Sequence, residues 1–181
     1  MLLDLIEVDN ALDDLDYFIK QSKSQTYYKS NEHPSNTDVN YAGYRSNEFN
    51  AEDTSRIAKA ILDKCFTTAV ADKIGIDCQF QLRCYYHYLT ENDTYNDSWI
   101  HSDPNDIYAG VIYLNDNKND NGTIVYRNPI SYLQMRKNRL VMYRSDYEHS
   151  ARNGFGKDAN DARLSIVFFI RGLRVTLVKN D

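Results

Sequence analysis

With 181 residues, 21 basic against 26 acidic side chains and a formal net charge of -5, the chain has the size of one domain built on one ordinary core. The acidic balance counts against an extended nucleic-acid surface, which needs concentrated Lys and Arg. No apolar run nears the roughly 18 residues of a membrane span, and the opening Met1-Leu2-Leu3-Asp4-Leu5-Ile6-Glu7 lacks the basic flank and length of a secretion signal. No membrane partner and a cytoplasmic location are therefore expected. Cys65, Cys78 and Cys84 are odd in number and have no metal-binding spacing, so they read as reduced core or strand thiols.

In chain order, Leu12, Leu15 and Ile19 recur at i, i+3 and i+7 and predict an amphipathic helix over about Ala11 to Gln21. The polar segment from about Ser22 to Glu48 carries Tyr27, Tyr28, Tyr41 and Tyr44. It reads either as a lid over a site or as a surface loop pinned by aromatic anchors, with His33, beside Pro34, exposed to solvent. A longer helix is predicted from about Ala51 to Lys73, with Asn50 as its cap, Ile57, Ile61, Cys65 and Ala69 as one stripe, and Gly75 as its stop. From Cys78 onward, short strands alternate with turn-rich segments such as Thr90-Glu91-Asn92-Asp93. On the strand Phe80 to Leu89, His87 alternates to the same side as Arg83 and Tyr85. His87 then either lines a pocket or fills a structural place, and Arg83 either touches a ligand or pairs at the surface. Residues 1–75 thus read as helical and 76–181 as strand-rich, which suits a mainly β (α+β) domain: a double-sheet jelly roll braced on one face by N-terminal helices.

The chemistry concentrates in Trp99-Ile100-His101-Ser102-Asp103-Pro104 and Tyr147-Glu148-His149-Ser150-Ala151-Arg152. Two imidazoles and one carboxylate are the set that holds a redox-active iron on one face and leaves the opposite positions open. Residues at i and i+2 project to one side only if the backbone between them is extended, and Pro104 pushes Asp103 away from helical angles. His149 must come from elsewhere, just beyond the apolar run Leu140-Val141-Met142-Tyr143. A His-x-Asp tripeptide is common, and a lone histidine near a turn has bland explanations. Weight is added by Ala162-Arg163-Leu164-Ser165-Ile166-Val167-Phe168-Phe169-Ile170, an arginine entering a strand of β-branched and aromatic residues. A buried arginine needs an anionic partner, and a bidentate carboxylate suits it.

The order of His-x-Asp, strand, Tyr-Leu-Asn, Gly-Thr, strand, His and arginine-led strand resembles the Fe(II)- and 2-oxoglutarate-dependent oxygenases, most of all their prolyl-4-hydroxylase-like branch with its small stand-alone phage and bacterial members. The resemblance runs from about Cys78 to Ile170, roughly half the chain. It implies a cupin-like double-stranded β-helix core, with His101, Asp103 and His149 as iron ligands. It also implies that Arg163 pairs with the distal carboxylate of 2-oxoglutarate and that Tyr113 hydrogen-bonds the same group. Tyr85 falls where related hydroxylases keep a pocket tyrosine, with Tyr86 as the alternative register. Two positions depart from the pattern: Asn121-Gly122 replaces a double glycine, and the gap from His149 to Arg163 is long, which leaves Arg152 as the rival cosubstrate anchor. Arg163 is preferred, because a strand fixes a side chain better than a glycine-rich loop.

Iron, Asp103, 2-oxoglutarate and Arg163 together sum to zero charge, as a low-dielectric site prefers. Both histidines must be neutral to bind metal. Related halogenases carry a small residue in place of Asp103, so its presence points to hydroxylation. The implied reaction consumes dioxygen and 2-oxoglutarate, releases succinate and carbon dioxide, and hydroxylates a substrate, with ascorbate as a compatible reductant. A prolyl residue in a peptide or protein leads as substrate by analogy. The alternatives are a free amino acid, another small molecule or a nucleobase. A metal-binding jelly-roll recognition module, or a cupin-type enzyme without 2-oxoglutarate, would need neither Arg163 nor Tyr113.

Overall fold

The computed structural model describes residues 3–34, 41–66, 74–116 and 121–179. In chain order its strands are β1 (Leu5–Val8), β2 (Tyr27–Tyr28), β3 (Tyr44–Glu48), β4 (Ile74–Leu89), β5 (Tyr108–Tyr113), β6 (Thr123–Tyr126), β7 (Ser131–Leu133), β8 (Leu140–Arg144), β9 (Glu148–Ala151) and β10 (Arg163–Lys179). The helices are α1 (Leu15–Ser22) and α2 (Ala51–Ile61), the latter running into a π-helical turn at Leu62–Phe66. Antiparallel pairing gives a large sheet in the order β1-β8-β5-β10-β4-β3-β2 and a small one in the order β7-β6-β9. This is the expected mainly β double-sheet architecture. Among the described residues, no helix is long and apolar enough to cross a membrane.

Strand alternation decides what each face carries. On the outer face of the large sheet, Ile112, Met142, Ile166 and Phe168 pack under Phe18 of α1 and Ile57 and Ile61 of α2. On the inner face, Val111, Tyr113, Val141 and Tyr143 pack against Val125 of β6 and Leu133 of β7. Every residue of β5 is buried, because this central strand is covered on both sides.

The helices are shorter than their apolar stripes predict. Ala11 and Leu12 are buried but not helical: Asn138 takes their backbone N–H groups on its main-chain oxygen at 3.0 Å and its side-chain oxygen at 2.8 Å, and its amide donates to Leu12 O at 2.9 Å. α2 begins where expected, since the Asn50 side chain accepts from the Asp53 N–H at 2.9 Å, but its α-helical part stops at Ile61. The predicted continuation over 67–73 lies outside the described residues. Gly75, predicted as the helix stop, is within β4 and paired with Val178. The N-terminal part is also not wholly helical, since it supplies β1, β2 and β3 to the edges of the large sheet. These strands are short and mostly partly exposed, so they lack the apolar alternation that marks a strand in sequence. Cys65 and Cys84 are free and buried, as expected of reduced thiols. The Cys78 side chain lies outside the described residues.

Gly110 on β5 has no room for a side chain, since a Cβ there would run into the Phe168 ring and the Val141 carbonyl. Gly110→Ala is expected to destabilise the fold by about 1–3 kcal/mol, read from urea unfolding. His87, on the inner face of β4, is buried and donates from Nε2 to Ala42 O at 2.7 Å. Burial, then Arg45, pushes its pKa down from 6.5 to about 3. The unfolded chain therefore binds a proton at His87 between those values that the folded chain does not. This contribution to stability is intact above pH 6.5 and is lost as pH falls toward 3, at up to ~1.4 kcal/mol per pH unit. In His87→Gln the acid-side slope of stability against pH should be correspondingly shallower.

Candidate functional site

His101 and Asp103 are carried by the segment that enters β5, and His149 by β9 of the small sheet. A short 3-10 turn, Asp97–Trp99, precedes them and is capped by the Asn96 side chain on the Ser98 N–H at 3.0 Å. The chain then extends. His101 and His149 exchange two backbone hydrogen bonds, N–H to O at 3.1 and 2.8 Å, and Asp103 N–H donates to Ser145 O at 2.8 Å. These bonds hold the i, i+2 pair extended, His101 against β9 and Asp103 against the turn that leads into it. The apolar run on β8 does not carry His149 itself; the turn after it reverses the chain into β9.

Each imidazole has one committed nitrogen. His101 Nδ1 lies 2.7 Å from Trp99 O, and His149 Nδ1 lies 3.0 Å from Tyr147 O. A carbonyl only accepts, so both Nδ1 atoms carry a proton, and in the neutral rings both Nε2 atoms keep a free lone pair. His149 Nε2 stands 3.3 Å from Asp103 Oδ2, a buried oxygen that forms no hydrogen bond. When the His149 ring is neutral, as metal binding requires, two acceptors face each other here, an arrangement that a cation relieves; when it is protonated, the two form an ion pair. The candidate ligand atoms of His101, Asp103 and His149 all lie within 4.8 Å of one another. Burial and then His149 lower the pKa of His101, although the edge of this residue reaches solvent. Burial works to raise the pKa of Asp103, but contact with His149, the charges that His149 and His101 carry when protonated, and the charge of Arg45 outweigh it and hold the carboxyl below its usual range. Neutral imidazole beside an ionised carboxylate is the protonation state a divalent metal requires, and two nitrogens with one oxygen suit Fe(II).

The cavity beside this cluster has an apolar floor of Ala109, Val111, Val167 and Phe169, with Tyr41, Trp99 and Tyr143 on its walls. Arg163, at the start of β10, also lines it and is 1% exposed. Its Nε donates to Asn121 O at 2.5 Å and Nη2 to Gly122 O at 3.1 Å, while its guanidinium lies 5.4 Å from the Tyr113 ring. No carboxylate lies within 4.0 Å of it among the described residues. Tyr113 stands behind this wall, with its hydroxyl 2.8 Å from Thr123 Oγ1.

Both departures in the motif have a structural account. Gly122 is the glycine that matters, because a Cβ there would run into the Leu133 carbonyl. Asn121 needs only its main-chain oxygen to hold Arg163. The long gap before Arg163 is docked onto the turn after β4: Gly154 N–H donates to Asp93 O at 2.9 Å, and Glu91 N–H to Gly156 O at 2.8 Å. Arg152, the rival anchor, is not on the cavity wall; its N–H continues the β9 pairing to Gly122 O at 3.1 Å.

Other candidates fall differently. Tyr85, expected as a pocket tyrosine, is not on the wall either, and its hydroxyl donates to Glu48 Oε2 at 3.1 Å. Arg83 pairs with the buried Asp106 at 3.0 Å. His87 does line the cavity. His33, expected in solvent, is buried, its Nε2 3.0 Å from Ser46 O. Arg45 lines the cavity and was not singled out from sequence. Its signal would have been the strand pattern of Tyr44-Arg45-Ser46 inside a segment read as loop.

No protein-family model matches the chain, and no curated protein does. Solved structures do. A 2OG-Fe(II) oxygenase family oxidoreductase from Burkholderia pseudomallei is similar at TM-score 0.62 and 12% identity, over 93% of this chain and 84% of that one. A prolyl hydroxylase from Trichoplax adhaerens, in complex with a hypoxia inducible factor oxygen degradation domain peptide fragment, is similar at 0.59 and 14%, over 92% and 83%. A Pseudomonas putida prolyl-4-hydroxylase is similar at 0.55 and 14%, over 92% and 91%. At these identities the likeness is one of architecture, and the chain has the double-stranded β-helix fold of the 2-oxoglutarate-dependent oxygenases.

Proposed function

We propose that residues 1–181 form one Fe(II)- and 2-oxoglutarate-dependent dioxygenase domain that hydroxylates an organic substrate. The observation that carries this reading is the pairing, on one cavity, of a His-Asp-His cluster of metal-ligand geometry with a buried arginine that no carboxylate among the described residues neutralises. In this reading His101 Nε2, Asp103 Oδ2 and His149 Nε2 hold iron, and Trp99 O and Tyr147 O keep the two rings in the right tautomer. With 2-oxoglutarate and dioxygen, the iron supplies the oxidising power that places one oxygen in a C–H bond of the substrate and the other in succinate, with loss of carbon dioxide.

The chain's own part is position and exclusion of water. Arg163, already fixed by two main-chain carbonyls, would offer its remaining N–H groups to the distal carboxylate; Thr123 lines the cavity with it, and Tyr113 stands behind, its hydroxyl bonded to that of Thr123. Val111, Val167 and Phe169 keep the interior apolar. Asp103 would supply a carboxylate ligand where related halogenases have a small residue and bind halide, which favours hydroxylation.

A prolyl residue in a peptide or protein is the leading substrate, supported by the likeness to prolyl hydroxylases, one of them with a bound peptide. A free amino acid or other small molecule is the second reading, and Arg45 favours it. The net charge of -5 counts against a nucleobase within nucleic acid.

The test is an anaerobic titration with Fe(II) and then 2-oxoglutarate, following the visible charge-transfer band, with ascorbate supplied in later turnover assays. Wild type should form the band, and His149→Ala should lose both the band and most of its affinity for iron. Arg163→Ala should bind iron nearly as wild type but 2-oxoglutarate about 10- to 150-fold more weakly, the ~1.5–3 kcal/mol of a charged hydrogen-bonded contact. A folded protein that binds iron and never forms the band would sink the 2-oxoglutarate assignment and leave a metal-binding jelly-roll module or a cupin-type enzyme.

A further inference from the structure

The charges of the proposed site close to zero without Arg45, and Arg45 is on the same wall. On β3 it pairs with His87 of β4, so its side chain belongs to the inner face. Its guanidinium carbon lies 4.1 Å from the Tyr41 ring centre, 5.3 Å from that of Tyr85 and 5.8 Å from that of Phe169. Its Nε is buried without a hydrogen-bond partner, and no carboxylate lies within 4.0 Å of it among the described residues.

Among the described residues, the acids that could serve it are otherwise committed. Asp103, on the same cavity, interacts with Arg45 through space but makes no ion pair within 4.0 Å of it, and in the hydroxylase reading its charge is taken by the metal. Glu48, three residues along the same strand, accepts from Tyr85, and Asp106 holds Arg83 and Arg171. His87 opposite it is neutral and bonded to Ala42 O. Aromatic faces attract the cation but accept none of its in-plane N–H bonds, so desolvation of this arginine is only partly offset. Arg163 cannot share the task. It lies on β10 across the sheet from Leu89, whereas Arg45 lies across from His87, two residues along β4 and on the neighbouring strand to the other side.

Resting on the hydroxylase reading, we infer that Arg45 anchors a carboxylate of the primary substrate, so that the cavity takes two anionic molecules, the cosubstrate on Arg163 and the substrate on Arg45. The substrate is then a carboxylate-bearing compound, such as a free α-amino acid or a peptide whose terminal carboxylate lies close to the oxidised carbon. An internal prolyl residue flanked only by amides would leave Arg45 without its partner.

The experiment uses the anaerobic Fe(II)·2-oxoglutarate complex of the full chain, whose visible band moves when a substrate displaces water near the metal. The probes are the free L-amino acids, each paired with its amide, and a Gly-Pro dipeptide paired with its amidated form. In wild type, at least one acid should shift the band, with its amide at least tenfold weaker. In Arg45→Met the acid should fall to the level of its amide, while Fe(II) and 2-oxoglutarate still titrate within about twofold of wild type; that retained band also shows the variant is folded. Arg45→Lys should recover part of the lost affinity. A free amino acid as the responding probe identifies a small-molecule substrate, and the dipeptide alone identifies a peptide terminus.

The inference is overturned if acid and amide bind alike, if the variant affects both equally, if no carboxylate shifts the wild-type band, or if Arg45→Met loses 2-oxoglutarate, which would make Arg45 part of the cosubstrate site. Failure of wild type to form any band would instead overturn the hydroxylase reading itself.

Discussion

Strand β10 is hydrogen-bonded on both sides, to β4 and to β5, and this double pairing gives each of its side chains one permitted face. From Arg163 to Ile170 the chain alternates between the cavity and the helix-covered core, and a slip of one residue would exchange Arg163 with Leu164. A guanidinium driven into the apolar layer beneath α1 and α2, with no acceptor, would cost several kcal/mol. The register is therefore set by the hydrophobic face and inherited by the polar one. The helices, remote from the cavity, contribute to its accuracy by making the wrong register untenable.

The site is assembled from elements that differ in how firmly they are held. Arg163, Tyr113, His87 and Tyr143 stand on a sheet buried on both faces. His101 and Asp103 belong to an irregular segment, and His149 to a four-residue strand, joined by a bridge of two backbone hydrogen bonds. Side-chain bonds to Trp99 O and Tyr147 O then orient the rings. Each carbonyl lies two residues before its histidine, so ring orientation is local, whereas the meeting of the two rings is not.

That contrast explains what could be read from the amino-acid sequence. A His-x-Asp pair and an arginine opening a hydrophobic strand are local patterns, and both were visible. Arg45 was not, because its importance comes from lying beside His87, forty-two residues later, in a pairing that a short polar strand does not announce. The same cause misplaced His33, whose burial depends on Ser46, Tyr28 and Tyr41 closing around it, whereas β1 is mostly apolar but only four residues long. The early start expected for α1 failed for a different reason: the apolar stripe was real, but Asn138 claimed the backbone that the helix would have used. Tyr85 shows a limit of motif transfer, since the strand and face were as expected and a single acceptor, Glu48, took the hydroxyl.

The bridge between His101 and His149 joins the edge of the small sheet to the segment leading into the centre of the large one. Any ligand gripped by both histidines would therefore act as a clasp across the mouth of the sandwich. The free energy of binding would be shared with the closure of that edge, and ligand affinity and resistance of β9 to local opening would rise and fall together. The grip on such a ligand and the solidity of the sandwich rim would then be linked equilibria, each strengthening the other.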